Sequence, residues 1–549
     1  MQQNICKLFK DPIYGYIQIP EKMVRQFIDS ACFQRLRRIG QTSYTPLYPA
    51  ALHNRFIHSI GVYHLGKIAF ESLKKDVCKR YQNCNDIDWD YLEDLFETAC
   101  LLHDVGHAPF SHSGEGYYRT SGKSDDPLYE LLKATVSDES FTQDMEYYTL
   151  ENTKPAAPHE MMSVIVSIES FKDYFKDSKS KSFFARCITG YLHQKPKDFE
   201  EDLENILIKL LNSSIINVDK LDYLIRDAYV TGYDNTHLDY HRLLNSIMMY
   251  KVGEEYELVF DKSALSVLEN VIYAHDSEKK WIQSHPIILY EQFLVKYAIK
   301  HVNSCINKNE QDHHENLICF DAITEKGKKF QDITISYLCD DDVIFLVKNV
   351  CPDELTHEYF ERDKWRHPLW KSESEFRSII NTIGSEAINE MNRYLKRIHS
   401  FLSEKEIPIL NDATIKEFEK MISDLKDTNN PKLSIDKKKN LELDGKTLEF
   451  MKHIREILKS KNIPFDLVVL KSNDFKSGFQ KEELSNTKIY FPSLNRVNNL
   501  RVVLNTLNFT EDSMEMYYIY YRPTYNNDIL VKIDLNEFMN KLRMYLVPN

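Results

Sequence analysis

No run in this 549-residue chain approaches the roughly 18 consecutive apolar residues of a membrane-spanning helix, so no membrane partner is expected. The first residues, MQQNICKLFKDPIYGYIQ, lack a charged, then apolar, then small-residue pattern, so no secretory signal is expected either. Ten cysteines are scattered without a Cys-x-x-Cys pair, which argues against a zinc knuckle and against a disulfide framework. They read as reduced, mostly buried thiols of a cytoplasmic protein. No internal repeat is evident. Positive charge is in deficit: 70 Lys and Arg against 83 Asp and Glu give a formal charge of −13. Broad nucleic-acid binding needs Lys and Arg to neutralise phosphates, so it is not expected here. A small anionic substrate stays open, because local cations can build a positive pocket on an acidic protein.

What remains is an ordinary globular composition, 42% hydrophobic and 28% charged, long enough for one large domain with additions or for several domains. Apolar residues recur at helical spacing through most of Val24 to Ser304, and strand-like alternation there is confined to Tyr14–Ile19 and Tyr256–Phe260. From about Asp321, β-prone runs (Ile333–Leu338, Phe465–Leu470, Lys488–Phe491, Met516–Tyr521) alternate with helical stretches. The fold expected is mainly α, a helical core with a smaller C-terminal α+β lobe. The expected division is a core over 1–320, a helical or mixed extension over 321–425, a polar linker or excursion over 426–445 and a lobe over 446–549. Tyr517–Tyr521 reads as a packed sheet face rather than a base-stacking platform. His313-His314 reads as solvated loop, and Lys437–Lys439 as a plain charge run.

The densest chemistry lies in Ala99–Ser113, ACLLHDVGHAPFSHS. Leu92, Leu95, Phe96, Ala99 and Cys100 define a buried helical stripe, and His103 falls on it three turns after Leu92. Burying an imidazole beside an ionisable carboxylate, Asp104, is costly without compensation, and a divalent metal would supply it. Gly106 then breaks the helix, and His107 and His112 follow around a Pro109-Phe110 turn.

Two further segments can complete a metal site. His58 opens a helix with Val62, Leu65 and Ala69 on its inner face. Asp219 lies in VDKLDYLIRDAYVTG, on the polar face opposite Leu221, Leu224, Ile225 and Ala228. Two imidazoles and two carboxylates suit one divalent ion such as Mn, Fe, Co or Zn. The bland alternative for Asp219 is a solvated helix face carrying an Asp222–Arg226 i,i+4 pair. For His159-Glu160 it is a helix start after Pro158.

The order of these pieces, RFIHS, then HDVGHAPFSH, then VDKLDYLIRD, resembles the H…HD…D signature of the HD-domain metal phosphohydrolases. Within them the chain is similar to the deoxynucleotide triphosphohydrolase branch that includes the sterile-alpha-motif/HD-domain dNTPases, although no sterile-alpha-motif segment is visible. The resemblance begins at KLFKDPIYGYI (Lys7–Ile17), runs through Phe33–Arg37, His53-Asn54-Arg55 and His159-Glu160, and reaches His285-Pro286. Weaker echoes follow in Asp340–Leu346 and in MYYIYYRP.

The resemblance implies an HD-domain helical core in which His58, His103, Asp104 and Asp219 hold the metal. His107, His112, Glu115, His159 and Glu160 would form the catalytic cluster. Arg55, Lys220 and Tyr223 would meet the triphosphate, Gln41 and Asp227 the sugar or base, and His285 the substrate. It further implies hydrolysis of dNTPs to deoxynucleoside and triphosphate, with Mg accompanying the nucleotide. An activating nucleotide at Lys7, Asp29, Gln34 and Arg37 and a homo-oligomer (dimer, tetramer or hexamer) belong to the same expectation. The biological settings implied are pool balance and restriction of phage replication. The rival readings are an HD phosphohydrolase of another nucleotide and a nucleotide-sensing module with a protein partner. Three positions depart from the family pattern: Lys10 replaces an Asn, Met248 an Arg, and Gln283 an aromatic ring.

Overall fold

The computed structural model describes residues 5–118, 127–150, 156–213, 216–233, 237–307, 316–330, 333–427, 435–473, 477–478, 487–504, 515–526 and 529–546. The His313-His314 pair lies outside them. The protein is mainly α-helical with a few small sheets. Among the described residues no helix is long and apolar enough to cross a membrane.

Two compact units emerge, and they interleave along the chain. One comprises residues 1–279, 298–352 and 476–510, and the other 280–297, 353–475 and 511–549. The first is built on the helix Arg55–Arg80, which packs against the helices Trp89–Leu102 and Val218–Thr231. Phe56, Val62, Leu65, Ala69, Phe70 and Leu73 supply its buried stripe, facing Leu92, Leu95, Phe96 and Ala99. The helices Pro158–Ser170, Ser178–Thr189 and Phe199–Leu211 extend the same core.

Among the described residues strands enter this unit in three places, the smallest being the short antiparallel pair Lys328–Phe330 and Ile333–Ile335. An N-terminal hairpin pairs Cys6–Asp11 with Gly15–Pro20, register Lys7 to Ile19 and Asp11 to Gly15. Gly15 takes φ +78°, a left-handed turn position that glycine fills at no steric cost. A four-stranded sheet runs in the order Arg496–Asn499, Lys488–Phe491, Glu255–Asp261, Ile247–Val252, with only the middle pairing parallel. That parallel pairing is what brings residues 476–510 into the first unit. Periodicity cannot show it, because the partners are more than 200 residues apart.

The second unit packs the helices Ser385–Glu404, Asp412–Asp427, Ile435–Lys459 and Leu535–Leu546 around Ile388, Met391, Leu395, Phe401, Phe418, Phe450 and Ile454. Its sheet places Tyr517–Tyr521 between His367–Pro368 and Leu467–Lys471, and all five residues of that strand are buried. Beneath it Arg366 and Glu358, both fully buried, form an ion pair that Asp466 and Arg522 extend. Residues 435–445 of the polar stretch are the first turns of a helix. Leu441 and Leu443 there pack on the core, and Asp444 is buried against Arg397, so its charges hide an amphipathic pattern.

Candidate active site

Three segments converge in the first unit. Asn54 caps the helix Arg55–Arg80 by accepting from Ile57 N at 3.2 Å, which sets His58 in the first turn on the buried side. The apolar helix Trp89–Leu102 delivers His103 and Asp104 at its C-terminal end. Asn217 caps the helix Val218–Thr231 on Lys220 N at 2.7 Å, placing Asp219 in its first turn.

His58 Nε2 lies 3.3 Å from His103 Nε2, 3.0 Å from Asp219 Oδ1 and 3.6 Å from Asp104 Oδ2. His103 Nε2 is 3.4 Å from Asp104 Oδ1 and 3.6 Å from Asp219 Oδ1. Each imidazole has its other nitrogen engaged, His103 Nδ1 with Cys100 O at 2.9 Å and His58 Nδ1 with Asp222 Oδ2 at 2.8 Å. In each ring Nε2 is therefore the nitrogen turned toward the carboxylates. Donors ~3–3.5 Å apart are what bonds of ~2.0–2.2 Å to one ion require. His58, His103 and Asp219 bring one ligand atom each within 4.8 Å of one another and could hold a divalent metal, with Asp104 alongside them. In the metal-free protein, burial disfavours a charged His58, but Asp219, Asp222 and Asp104 outweigh it and raise the ring to about 9. Burial likewise opposes ionisation of Asp104, and Arg55, His103 and His107 overcome it and hold the carboxyl well below its usual range.

A second cluster abuts the first through Asp104, whose Oδ1 lies 3.0 Å from His107 Nε2. Glu115 is its hub: Oε1 sits 3.1 Å from His107 Nδ1 and 2.8 Å from His112 Nδ1, and Oε2 accepts from His159 Nδ1 at 3.0 Å. The His107 and His159 rings stack at 4.2 Å. His107 is fully buried, while the His112 side chain is 70% exposed. Burial, then the Arg55 charge, lowers His107 to about 4. For His159 burial works the other way from the Glu115 carboxylate, which wins and raises it to about 9. Glu160 stands apart from the hub. Its oxygens accept from Ala157 N at 2.6 Å and Asn212 Nδ2 at 2.9 Å, so it caps the helix Pro158–Ser170.

The loop joining the clusters is tightly held. Phe110 and Ser111 both take left-handed backbone angles, φ 57° and 52°, a conformation that non-glycine residues adopt at a cost. Gly106 passes so close to the helix Pro158–Ser170 that a Cβ would lie 2.2 Å from Ser163 N. Asp340 accepts from Phe110 N at 2.6 Å and Gly40 N at 2.9 Å, and the buried Arg35 guanidinium donates to His107 O at 2.9 Å. Ser111 Oγ donates to Gly40 O at 2.6 Å and receives Arg55 Nε at 3.0 Å.

The expected substrate contacts lie in the first unit, His285 excepted. Arg55 Nη1 bonds Asp104 Oδ2 at 2.8 Å, and Lys220 Nζ donates to Ser213 O at 2.9 Å. Asp227 meets His53 Nε2 at 2.6 Å, and burial raises its carboxyl to about 7. Glu278, buried nearby, accepts from Tyr44 OH at 2.9 Å. Gln41 is buried with Oε1 lacking a hydrogen-bond partner among the described residues. Tyr223 is half-buried one turn from both Asp219 and Asp227, and His285 belongs to the second unit. The expected activator residues pair two and two, Lys7 with Asp29 at 3.4 Å and Arg37 Nε with Gln34 Oε1 at 2.9 Å.

Sequence reasoning gave no site role to Arg35, Ser111, Asp222, Glu278 or Asp340. The Asp222–Arg226 pair was the clearest misreading available: both side chains are essentially fully buried, not solvated. The signal for Asp340 was its place in a weak family echo, but no spacing rule links it to a loop 230 residues earlier.

Residues 55–170, which carry His58, His103 and Asp104, match the family model described as the HD domain. The chain is 29% identical over 283 residues to an uncharacterised Bacillus subtilis protein, YwfO, covering 51% of this chain and 52% of that one. It is 27% identical over 313 residues to the Dictyostelium discoideum protein named deoxynucleoside triphosphate triphosphohydrolase SAMHD1 homolog, covering 56% and 51%. The structure of a hypothetical protein from Aquifex aeolicus superposes with a TM-score of 0.51 over 99% of this chain and 100% of that one, at 20% identity. That likeness concerns the fold alone. The chain spans about half to two thirds of the length of its first curated relatives.

Proposed function

We propose that this protein is a metal-dependent phosphohydrolase that cleaves deoxynucleoside triphosphates to deoxynucleoside and triphosphate. The observation that carries the reading is Asp104, which lies against both a His58–His103–Asp219 group able to hold a metal ion and a histidine–glutamate cluster with one exposed imidazole. When bound, a divalent ion there supplies Lewis acidity toward a phosphoryl oxygen and lowers the pKa of water. The rest is done by the chain. His112 turns Nδ1 to Glu115, so Nε2 is the outward-facing nitrogen. From there it protonates O5′ as the Pα–O5′ bond breaks, converting a poor alkoxide leaving group into an alcohol. Arg55 and Lys220, each beside a metal ligand, offset negative charge gathering on the triphosphate. Gln41 Oε1, buried and unpartnered, and the His53–Asp227 pair offer polar groups to the sugar.

The test incubates Mn-, Fe-, Co- or Zn-loaded protein with single dNTPs and with mixtures, Mg included, and identifies products. Deoxynucleoside plus triphosphate is expected, and release of orthophosphate or monophosphate contradicts the reading. Turnover confined to mixtures, lost in Lys7→Ala and Arg37→Ala, supports an activating nucleotide at the exposed Lys7–Asp29 and Gln34–Arg37 pairs. Tight nucleotide binding without turnover under any metal favours a sensor.

A further inference from the structure

His58 Nδ1 faces Asp222 Oδ2 at 2.8 Å, and Asp222 is itself held from three directions. Arg226 donates through Nε to Oδ2 and through Nη2 to Oδ1, both at 2.9 Å, and Tyr14 OH donates to Oδ1 at 2.8 Å. Arg226 Nη1 continues to Asp11 Oδ2 at 3.0 Å. Asp11 ends the first strand of the N-terminal hairpin, where its Oδ1 accepts from Ile13 N at 2.8 Å and Tyr14 N at 3.0 Å. His58 and Asp222 are completely buried and Arg226 is 1% exposed. Ionised groups so deep persist only when every partner is in place. The packing leaves no slack, since a Cβ on Gly61, three residues past His58, would lie 1.9 Å from Asp222 Oδ1.

We infer that Asp222 is the positioning residue for the metal ligand His58, and that the Asp222–Arg226–Asp11 chain with Tyr14 ties the metal centre to the N-terminal hairpin. Asp222 accepts the Nδ1 proton and so fixes which nitrogen faces the ion, while Arg226 fixes Asp222. Asp11 and Tyr14 make that placement depend on the hairpin, whose far end carries the exposed Lys7. A hairpin displacement is thereby transmitted to ring orientation without any change in the four ligands. This inference rests on reading His58 as a metal ligand.

The test measures Mn(II) affinity by chelator competition and the visible spectrum of the Co(II)-loaded protein, which reports ligand geometry independently of turnover. Asp222→Asn, nearly isosteric, is expected to weaken Mn(II) by about 10–100-fold, as loss of an outer partner of a ligating histidine does, and to shift the Co(II) bands. Asp11→Asn and Tyr14→Phe touch no metal ligand and are expected to shift both readouts in the same direction. If circular dichroism shows that Asp222→Asn does not fold, these outer variants decide. Wild-type affinity and spectrum in the folded variants overturn the inference alone. A wild-type protein that binds no Mn(II) overturns the metal-centre reading and this inference together.

Discussion

Glu115 settles how the three histidines around it divide their work. One carboxylate serves His107, His112 and His159, and those rings differ in exposure from fully buried to 70% open. On the proposed function, proton delivery falls to the open one. Replacing His112 by Gln should lower kcat by about 10²–10⁴-fold while Mn(II) content stays at the wild-type level. Loss of metal along with activity would instead place His112 in the metal centre.

The His159–Glu115 pair also carries a pH signature. A folded value of about 9 for His159, above the roughly 6.5 of an unfolded imidazole, means its contribution is fully present below about pH 6.5 and fades as pH rises through 9. Glu115 lies on the opposite side. Burial opposes its charge but His159, His107 and His112 depress it, so its contribution is present above the unfolded value near 4.3 and is lost only in strong acid. The melting temperatures of metal-free wild type and Glu115→Gln should therefore differ most between about pH 5 and 6.5 and converge above 9. A constant difference across that range would contradict the assignment.

At the scale of elements, the segment from Gly106 to Ser113 depends on partners far away in sequence. Two consecutive left-handed residues are maintained by Asp340, Arg35, Ser111 and Gly40. Asp340→Ala would orphan the Phe110 and Gly40 N–H groups, at a cost of about 1–3 kcal/mol each where water cannot replace the carboxylate. The expected outcome is a lower urea midpoint and a kcat that falls more steeply than metal affinity, because His112 lies beyond Phe110 and Asp104 before it. Equal losses in both would show that the loop carries the metal ligands as well.

Elements also show what the sequence could reveal. The helices bearing His58, His103 and Asp219 were legible, because an apolar stripe interrupted by a ligand-type residue stands out against 3.6-residue periodicity. The strands Gly15–Pro20, Glu255–Asp261 and Lys488–Phe491 were legible from alternation or β-prone composition. The strands Cys6–Asp11 and Ile247–Val252 were not, since KLFK and IMMYK lack clean alternation and draw their stability from partner strands. The burial of Asp222 and Arg226 was not legible for a related reason. An i,i+4 ion pair looks the same on a solvated face as under a hairpin that covers it.

For the whole molecule, a net charge of −13 surrounds a site whose cations, Arg55 and Lys220, are already engaged with Asp104 and Ser213. The proposed function would therefore have a polyanion bound through the metal and a few cations released or shared locally, not through a basic surface. Unit boundaries were the least legible feature, because residues 280–297 and 476–510 each join a unit other than that of their sequence neighbours. Hydrolysis at Pα is tested most directly by running the dNTP reaction of the metal-loaded protein in heavy-oxygen water and weighing the products. One heavy oxygen in triphosphate and none in the deoxynucleoside is the predicted result. Label in the deoxynucleoside, or in orthophosphate with no triphosphate formed, would contradict it.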